Sequence, residues 1–350
     1  MNPGDESLEE KLQRFESPVA MMRAAAGGGY PFPIPAEFTN WRDEQRAWNE
    51  GVALLDLSHH MTDIYVEGPD TVRLLSDLMV NSFEGFGEGC AKQVVACNND
   101  GYVIGDAILF GLASNKVNIT GRPTVGHWVA FQAERGDYDV TITIDERSVD
   151  NPGERLTFRY QITGPDTMSL LAMLGAHDLE SVPVFRICEV TIAGVPVRAL
   201  NHSMARSVGF ELFGPREYAE HVRSAILEAG EPLGIRACGA RAYSTISPES
   251  GWYASPTPAI YSGPDLRAYR EWLRGDSWEG NLSMSGSFVS DRIEDYYHRP
   301  DELGYGHLVK FDHDFLGADA LKAASAERSS PQGLAPLVHR GCPTRTQKSL

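Results

Sequence analysis

The sequence predicts an α+β protein built from two related halves with antiparallel sheets. Three observations carry this reading. The motif Gly68-Pro69-Asp70-Thr71-x-x-Leu74-Leu75 returns 96 residues later as Gly164-Pro165-Asp166-Thr167-x-x-Leu170-Leu171. Each copy follows a short β-branched or aromatic run and precedes a helical pattern, so one strand–turn–helix unit is used twice. The remaining short runs are joined by hairpin signals, Asn98-Asn99-Asp100-Gly101 and Ala193-Gly194, and not by the long crossovers of a doubly wound parallel sheet. Ligand sites in such proteins often lie between the halves.

Taken in order, residues 1–28 read as a flexible N-terminal tail, acidic and then Ala/Gly-rich. Tyr30-Pro-Phe-Pro-Ile-Pro35 is extended, because each proline drives its predecessor out of the helical region. Thr39 or Asn40 caps a helix from Trp41 to about Glu50, which Gly51 stops. A strand around Ile64–Glu67 enters the first Gly-Pro-Asp-Thr turn. Asp70 then caps a helix whose Val72, Leu75, Leu78 and Met79 share one face. Strands are expected at Gln93–Cys97, Ala107–Leu112 and Val117–Thr120, a helix at Thr124–Glu134, and a closing strand at Val140–Ile144. The second half repeats the plan with a strand at Phe158–Ile162, a helix at Asp166–Leu174, a hairpin of Val190–Ile192 with Val195–Ala199, and a helix at Glu217–Ala229 ended by Gly230. This places the first half at 29–148 and the second at 149–324. Residues 325–350, rich in Ser, Pro and Arg without a hydrophobic period, read as a disordered tail.

Composition excludes several classes. A net charge of −17 disfavours nucleic acid and anionic membrane surfaces, both of which need Lys and Arg in excess. Five scattered cysteines without a Cys-x-x-Cys read as reduced thiols, and no apolar run approaches a membrane span, so the expected location is the cytoplasm. No phosphate loop and no nucleophile elbow occurs. Gly85-Phe-Gly-Glu-Gly89 lacks the strand and helix of a dinucleotide loop. Asp312-His313-Asp314 reads as a solvated turn and not as a metal site, and no metal is expected.

Asp56-Leu57-Ser58-His59-His60-Met61, Gly68-Pro-Asp70, Asp100-Gly-Tyr-Val-Ile-Gly-Asp106, Gly209-Phe-Glu-Leu212, Gly239-Ala-Arg241, Glu302-Leu-Gly304, Val309-Lys-Phe-Asp312 and Phe315-Leu-Gly317 follow one another over about residues 30–321. In that order they resemble the aminomethyltransferase (glycine-cleavage T-protein) superfamily. Within it, the doubled His59-His60, the Tyr-Pro-x-Pro-x-Pro entrance, Gly121-Arg122 and Gly239-Ala-Arg-Ala-Tyr243 followed by Glu249-Ser-Gly-Trp252 resemble the tetrahydrofolate-dependent aryl O-demethylases of the vanillate and syringate type. The resemblance implies two pseudo-symmetric α+β halves around a central folate channel. It also implies a methoxylated aromatic acid as methyl donor, tetrahydrofolate as acceptor, and a further β-rich domain after Phe315-Leu-Gly-x-x-Ala-Leu321. Only 29 residues follow Leu321 and none read as strands, so that C-terminal β domain is expected to be missing and the chain truncated or frameshifted near residue 325.

The same resemblance assigns roles. Tyr243 is the expected general acid, since a phenol with pKa near ~10 is protonated at neutral pH and can hand its proton to the departing aryl oxygen. Arg122 is expected to clamp the substrate carboxylate. Tyr30 and His60 are expected on the substrate side, with His59 structural, because neighbours in an extended segment face opposite ways. Leu57 stands where vanillate-type members are expected to carry glutamine, which implies a less polar pocket. Glu211 is expected to read the pterin ring, Trp252 to stack on or line the cofactor, and Gln93 and Gln161 to bond the pterin with inward amides, while Asp106 is held in reserve. Two other readings stay open: a different methyl donor, such as a sulfonium or N-methyl amine, and a folate-binding protein without turnover.

Overall fold

The structure, a computed structural model, describes residues 6–329 except 29, 152, 206, 254 and 255. The strands are β1 (Ala53–Asp56), β2 (Thr62–Glu67), β3 (Ala91–Cys97), β4 (Val103–Ala113), β5 (Lys116–Gly121), β6 (Thr141–Asp145), β7 (Thr157–Thr163), β8 (Ile187–Ile192), β9 (Val195–Asn201), β10 (Gly209–Pro215) and β11 (Arg236–Cys238). The helices are α1 (Leu8–Leu12), α2 (Pro18–Ala24), α3 (Trp41–Glu50), α4 (Thr71–Leu78), α5 (Pro123–Arg135), α6 (Thr167–Met173), α7 (Ala219–Gly230), α8 (Ala240–Tyr243), α9 (Ile246–Ser250), α10 (Arg267–Trp272) and α11 (Ala318–Ser329). Two sheets result. A five-stranded antiparallel sheet runs β3-β4-β5-β2-β6, and a six-stranded sheet runs β11-β1-β7-β10-β9-β8, antiparallel except for the β1–β11 pair.

The repeated motif occupies equivalent places, between β2 and α4 and between β7 and α6. Its glycines are required by close approach. Gly68 (φ +151°) and Gly164 (φ +135°) lie where a Cβ would come within 2.2 Å of the Asp139 carbonyl oxygen and 2.3 Å of the Gly51 carbonyl oxygen, respectively. No side chain fits there. Asp70 stands at the N-cap position of α4 but makes no cap bond; its carboxylate instead accepts from the Arg73 guanidinium and the Asp139 amide. Both hairpins form as expected. Ala193 (φ +50°) and Gly194 (φ +81°) take the left-handed pair that a two-residue turn requires.

Three expectations need correcting. The residues expected as a flexible tail include two docked helices. Ser7 and Glu10 form a capping box on α1, the Leu8 amide donates to the Leu273 carbonyl at 2.8 Å, and Leu8, Val19, Met21 and Met22 are buried beneath the five-stranded sheet's helices. A capping box and four large apolar anchors supply what a mobile segment lacks. The halves also interlock and do not divide at 148/149. β1 crosses to the second sheet, where it lies between β7 and β11, and residues 259–321 return to pack against the first sheet through Ile260, Tyr261, Tyr269, Tyr297, Phe315 and Leu321. Finally, the stretch expected to be disordered from 325 is helical through Ser329, and its remainder lies outside the described residues.

Where the sheets meet, Ala91, Phe110, Leu200 and Phe213 form a small shared core. Strands β3, β4, β5 and β10 thereby contribute side chains to the wall of a common space.

Candidate active site

That space is a cavity of about 970 Å³. Its wall includes Tyr30, His60, Gln93, Asp106, Arg122, Glu211, Tyr243 and Trp252, so seven of the eight residues expected at the site, with Asp106, converge from widely separated positions in the chain. Gln161 is not part of the wall. It is buried behind it, where its amide nitrogen donates to the His202 carbonyl at 2.6 Å and its amide oxygen accepts from the Met204 amide at 3.2 Å. Both ends of that amide are thus engaged in shaping the 202–204 loop. The expected direct pterin bond gives way to a role in holding the wall.

At one end stands the pair His60–Tyr243. Tyr243 ends the short helix α8, and that helix is fixed by Glu44, whose buried carboxylate accepts from the amides of Phe38, Thr39 and Gly239 at 2.6, 2.7 and 2.9 Å. His60 follows β1 in the turn before β2. Tyr243 Oη lies 2.7 Å from His60 Nε2, and the rings meet edge-on at 4.9 Å between centroids. Tyr30 and Phe32 close this corner at 6.3 and 6.2 Å from the His60 ring. Burial, reinforced by Arg122, Arg155 and His59, pushes the His60 pKa down to about 3, so this imidazole is neutral at pH 7. Burial first, and then Tyr30 and Glu211, hold Tyr243 above the usual phenol range, while Arg122 pulls it back. Burial also raises Tyr30 to about 12, with Asp56 adding to it. His60 Nδ1 is buried without a hydrogen-bond partner among the described residues. His59 turns away to Ser148 Oγ at 2.7 Å, in the structural role expected of it.

Arg122 sits where β5 ends and α5 begins, at the N-cap position with Pro123 in the first turn. Its side chain faces the cavity, with the guanidinium 5.5 Å from the centre of the Trp278 ring. Arg147 lies on the same wall, 5.7 Å over the Phe32 ring and bonded to Asp150 through Nε at 2.7 Å. Two arginines thus line this part of the cavity, Arg147 paired with Asp150 on the same wall.

Glu211, on β10, is buried beside Arg159, with its second oxygen 3.9 Å from His202 Nδ1. Burial alone would raise this carboxyl. The Arg159 guanidinium and His202 outweigh it and hold the pKa down to about 2, so the site presents a carboxylate. Arg159 is itself held by Asp63, Asn118 and Thr120, and its guanidinium lies 4.7 Å over Phe110. On the β3–β4 side, Gln93 Nε2 donates to Asp106 at 2.8 Å. Tyr305 Oη contacts Asp106 and accepts from Trp252 Nε1 at 2.7 Å. Burial raises the Asp106 pKa despite its donors.

Arg147, His202, Trp278 and Tyr305 were not singled out from sequence. Each lies in an irregular or charged stretch without periodicity, and only the tertiary fold brings Arg147, His202 and Trp278 to the wall and Tyr305 behind Trp252 and Asp106. Among the described residues no cluster of His, Cys, Asp and Glu suits a metal ion, and no helix is long and apolar enough to cross a membrane. His313 is occupied by Asp312 at 2.8 Å and the Met79 carbonyl at 3.2 Å.

The chain and its fold have known relatives. The chain is 40% identical over 323 residues to syringate O-demethylase of Sphingobium sp., covering 92% of this chain and 70% of that protein. It is 28% identical over 295 residues to sesamin methylene transferase of Sinomonas sp., covering 83% and 63%, and 26% identical over 314 residues to aminomethyltransferase of Streptomyces avermitilis, covering 88% and 73%. Among solved structures, the fold matches the glycine cleavage system aminomethyltransferase T from Bartonella henselae with a TM-score of 0.57 at 15% identity, covering 86% of this chain and 72% of that one. The model of the GCVT N-terminal domain matches residues 15–256. The chain therefore belongs to the GCVT N-terminal domain family, whose relatives here are group-transfer and demethylating enzymes.

Proposed function

We propose that this protein transfers a methyl group from a methoxylated aromatic acid of the syringate class to tetrahydrofolate. The observation that carries the reading is the pairing of Tyr243 with a neutral His60 at 2.7 Å, in one cavity with Arg122 and the Glu211 carboxylate. Its similarity to syringate O-demethylase over 92% of the chain supports the same substrate class.

The residues fit the methyl acceptor. The Glu211 carboxylate lines the cavity with its second oxygen 3.9 Å from His202 Nδ1, and a carboxylate suits the paired N–H groups of an aminopyrimidine edge. Gln93, Asp106 and Trp252 line the neighbouring wall. Tetrahydrofolate, when bound, supplies a secondary amine nitrogen, N5, as the nucleophile and methyl acceptor.

The methyl donor's needs are met by Tyr243, His60 and Arg122. In the net change the aryl O–CH₃ bond breaks, the methyl carbon bonds to nitrogen, the nitrogen's proton is released, and the aryl oxygen gains a proton. Phenoxide is a poor leaving group, so delivering that proton as the bond breaks lowers the barrier. Tyr243 holds a proton at every pH near neutrality. The Nε2–H tautomer of His60 donates to Tyr243 Oη and thereby leaves the phenol proton free to point at the ether oxygen. Arg122 receives the carboxylate and sets the ring's direction, so that the methyl carbon faces the folate end. A cationic donor would need neither an acid nor an arginine, which weighs against sulfonium or amine substrates.

The test is turnover. The protein is incubated with tetrahydrofolate and vanillate, syringate or 3-O-methylgallate, and the demethylated phenol and 5-methyltetrahydrofolate are quantified. Both products are expected in equal amounts from at least one acid. Folate binding with no turnover of any acid overturns the reading in favour of a binding protein.

A further inference from the structure

His127 lies on α5, five residues after Arg122, and is buried between two carboxylates. Its Nδ1 is 2.8 Å from Glu279 Oε1 and its Nε2 is 2.9 Å from Glu146 Oε1. A carboxylate only accepts, so a ring bonded to one on each side donates from both nitrogens and is an imidazolium. Glu279 is fully buried, and Glu146 also accepts from Thr62 Oγ1 at 2.9 Å. Each of the three groups has a cavity residue on its own segment: Arg122 on the His127 side, Arg147 next to Glu146, and Trp278 next to Glu279. The Arg122 guanidinium lies over Trp278. The segment that carries Trp278, with Asp276, Asn281 and Leu282, forms a cavity wall beyond the residues matched by the family model.

We propose that His127 is a positioning residue for the anion-recognising end of the cavity: by tying Glu146 and Glu279 together it sets Arg122, Arg147 and Trp278 for a carboxylate. The inference deepens the functional reading above and rests on it. Three segments that share no strand ladder, α5, the end of β6 and the 276–283 loop, are joined through one ring. Losing the ring's charge releases the loop and leaves the buried Glu279 carboxylate without its counter-charge. The displaced groups are then those that meet the substrate acid, whereas the Glu211 end is held by its own arginine, Arg159.

The experiment measures, for wild type and His127→Gln, the Kd of syringate in the presence of tetrahydrofolate and the Kd of tetrahydrofolate alone, by calorimetry, with a thermal melt of each protein. His127→Gln is expected to weaken syringate by about tenfold, as a small misplacement of a clamp does. Its tetrahydrofolate Kd is expected to stay within about twofold, because the charge-assisted contacts at Glu211 are untouched. Unchanged syringate binding, or equal losses for both ligands, overturns the inference. If His127→Gln does not fold, Glu146→Gln, on the partly exposed side of the ring, is read by the same ratio: a selective loss of about threefold supports the proposal and an unselective one overturns it. Failure of wild type to bind syringate at all refutes the functional reading instead, so the two failures are distinguishable.

Discussion

Two histidines, His60 on the cavity wall and His127 behind it, face opposite fates in one molecule. His60 is surrounded by Tyr30, Phe32 and Tyr243, with arginines as its nearest charges, and its pKa falls to about 3. His127 is just as enclosed but stands between two carboxylates, and although burial opposes its charge, Glu279 and Glu146 raise its pKa to about 10. Burial alone does not decide the protonation state; the charges built into the wall do. The neutral ring belongs to the proposed chemistry, where an imidazolium would repel Arg122. The charged ring belongs to the framework, where it cross-links segments that no sheet joins.

The sharpest way to break the first side of this contrast is Tyr243→Phe. Losing a positioned acid is expected to lower kcat by about 10²–10⁴ while tetrahydrofolate binding, measured by calorimetry, stays within about twofold, since Glu211 is untouched. Near-wild-type turnover would remove Tyr243 from its role. Next in size is Arg122→Ala, for which the loss of a charge-assisted carboxylate pair of about 1.5–3 kcal/mol predicts a KM for aromatic acids raised about tenfold or more. Neutral aryl ethers should be little affected, and equal effects on both would contradict the clamp.

Stability separates the two histidines by pH. His127, with its folded pKa raised above the unfolded value near ~6.5, contributes stability that is complete below that value and lost as pH rises toward about 10. His60, with its folded pKa lowered, contributes stability present above ~6.5 and lost as pH falls toward about 3. The melting temperature of His127→Gln should therefore lose the alkaline decline specific to wild type between pH 7 and 10, and His60→Gln should lose part of the acid decline below pH 6. Parallel curves for wild type and either variant would show that the ring is not in the assigned state. The smallest expected effect is that of Tyr305→Phe, which frees Trp252 Nε1 and one contact of Asp106. A net loss of about 1 kcal/mol predicts a tetrahydrofolate Kd raised about fivefold, and an unchanged Kd would place Trp252 outside the folate wall.

What could be read from the sequence follows the same division. Local signals recovered the repeated strand–turn–helix, both hairpins and most helices, because these depend on neighbours in the chain. The motif residues reach one cavity from well-defined places: Arg122 and Tyr243 from the ends of regular elements, Glu211 from within β10 and His60 from the turn before β2. The sequence did not reveal that β1 pairs in the other half's sheet, since strand exchange leaves no periodic trace. Nor did it reveal that residues 7–24 dock, because Leu8 and Met22 find their partners some 250 residues away, near Leu273 and Met284. Gln161 looked like an inward amide on a strand, and only the 202–204 loop explains why it is engaged behind the wall. His127 was hidden because Glu146 and Glu279, 19 and 152 residues distant, are what make it a charged node.

The most direct test of the methyl-transfer reading follows the methyl carbon itself. Syringate labelled with ¹³C in its methoxyl groups is incubated with the protein and tetrahydrofolate, and the label is traced by NMR. The account predicts its appearance as 5-[¹³C]methyltetrahydrofolate, one equivalent for each phenol released. Label recovered as methanol or formaldehyde, or remaining on the aromatic ring while folate is bound, would contradict it.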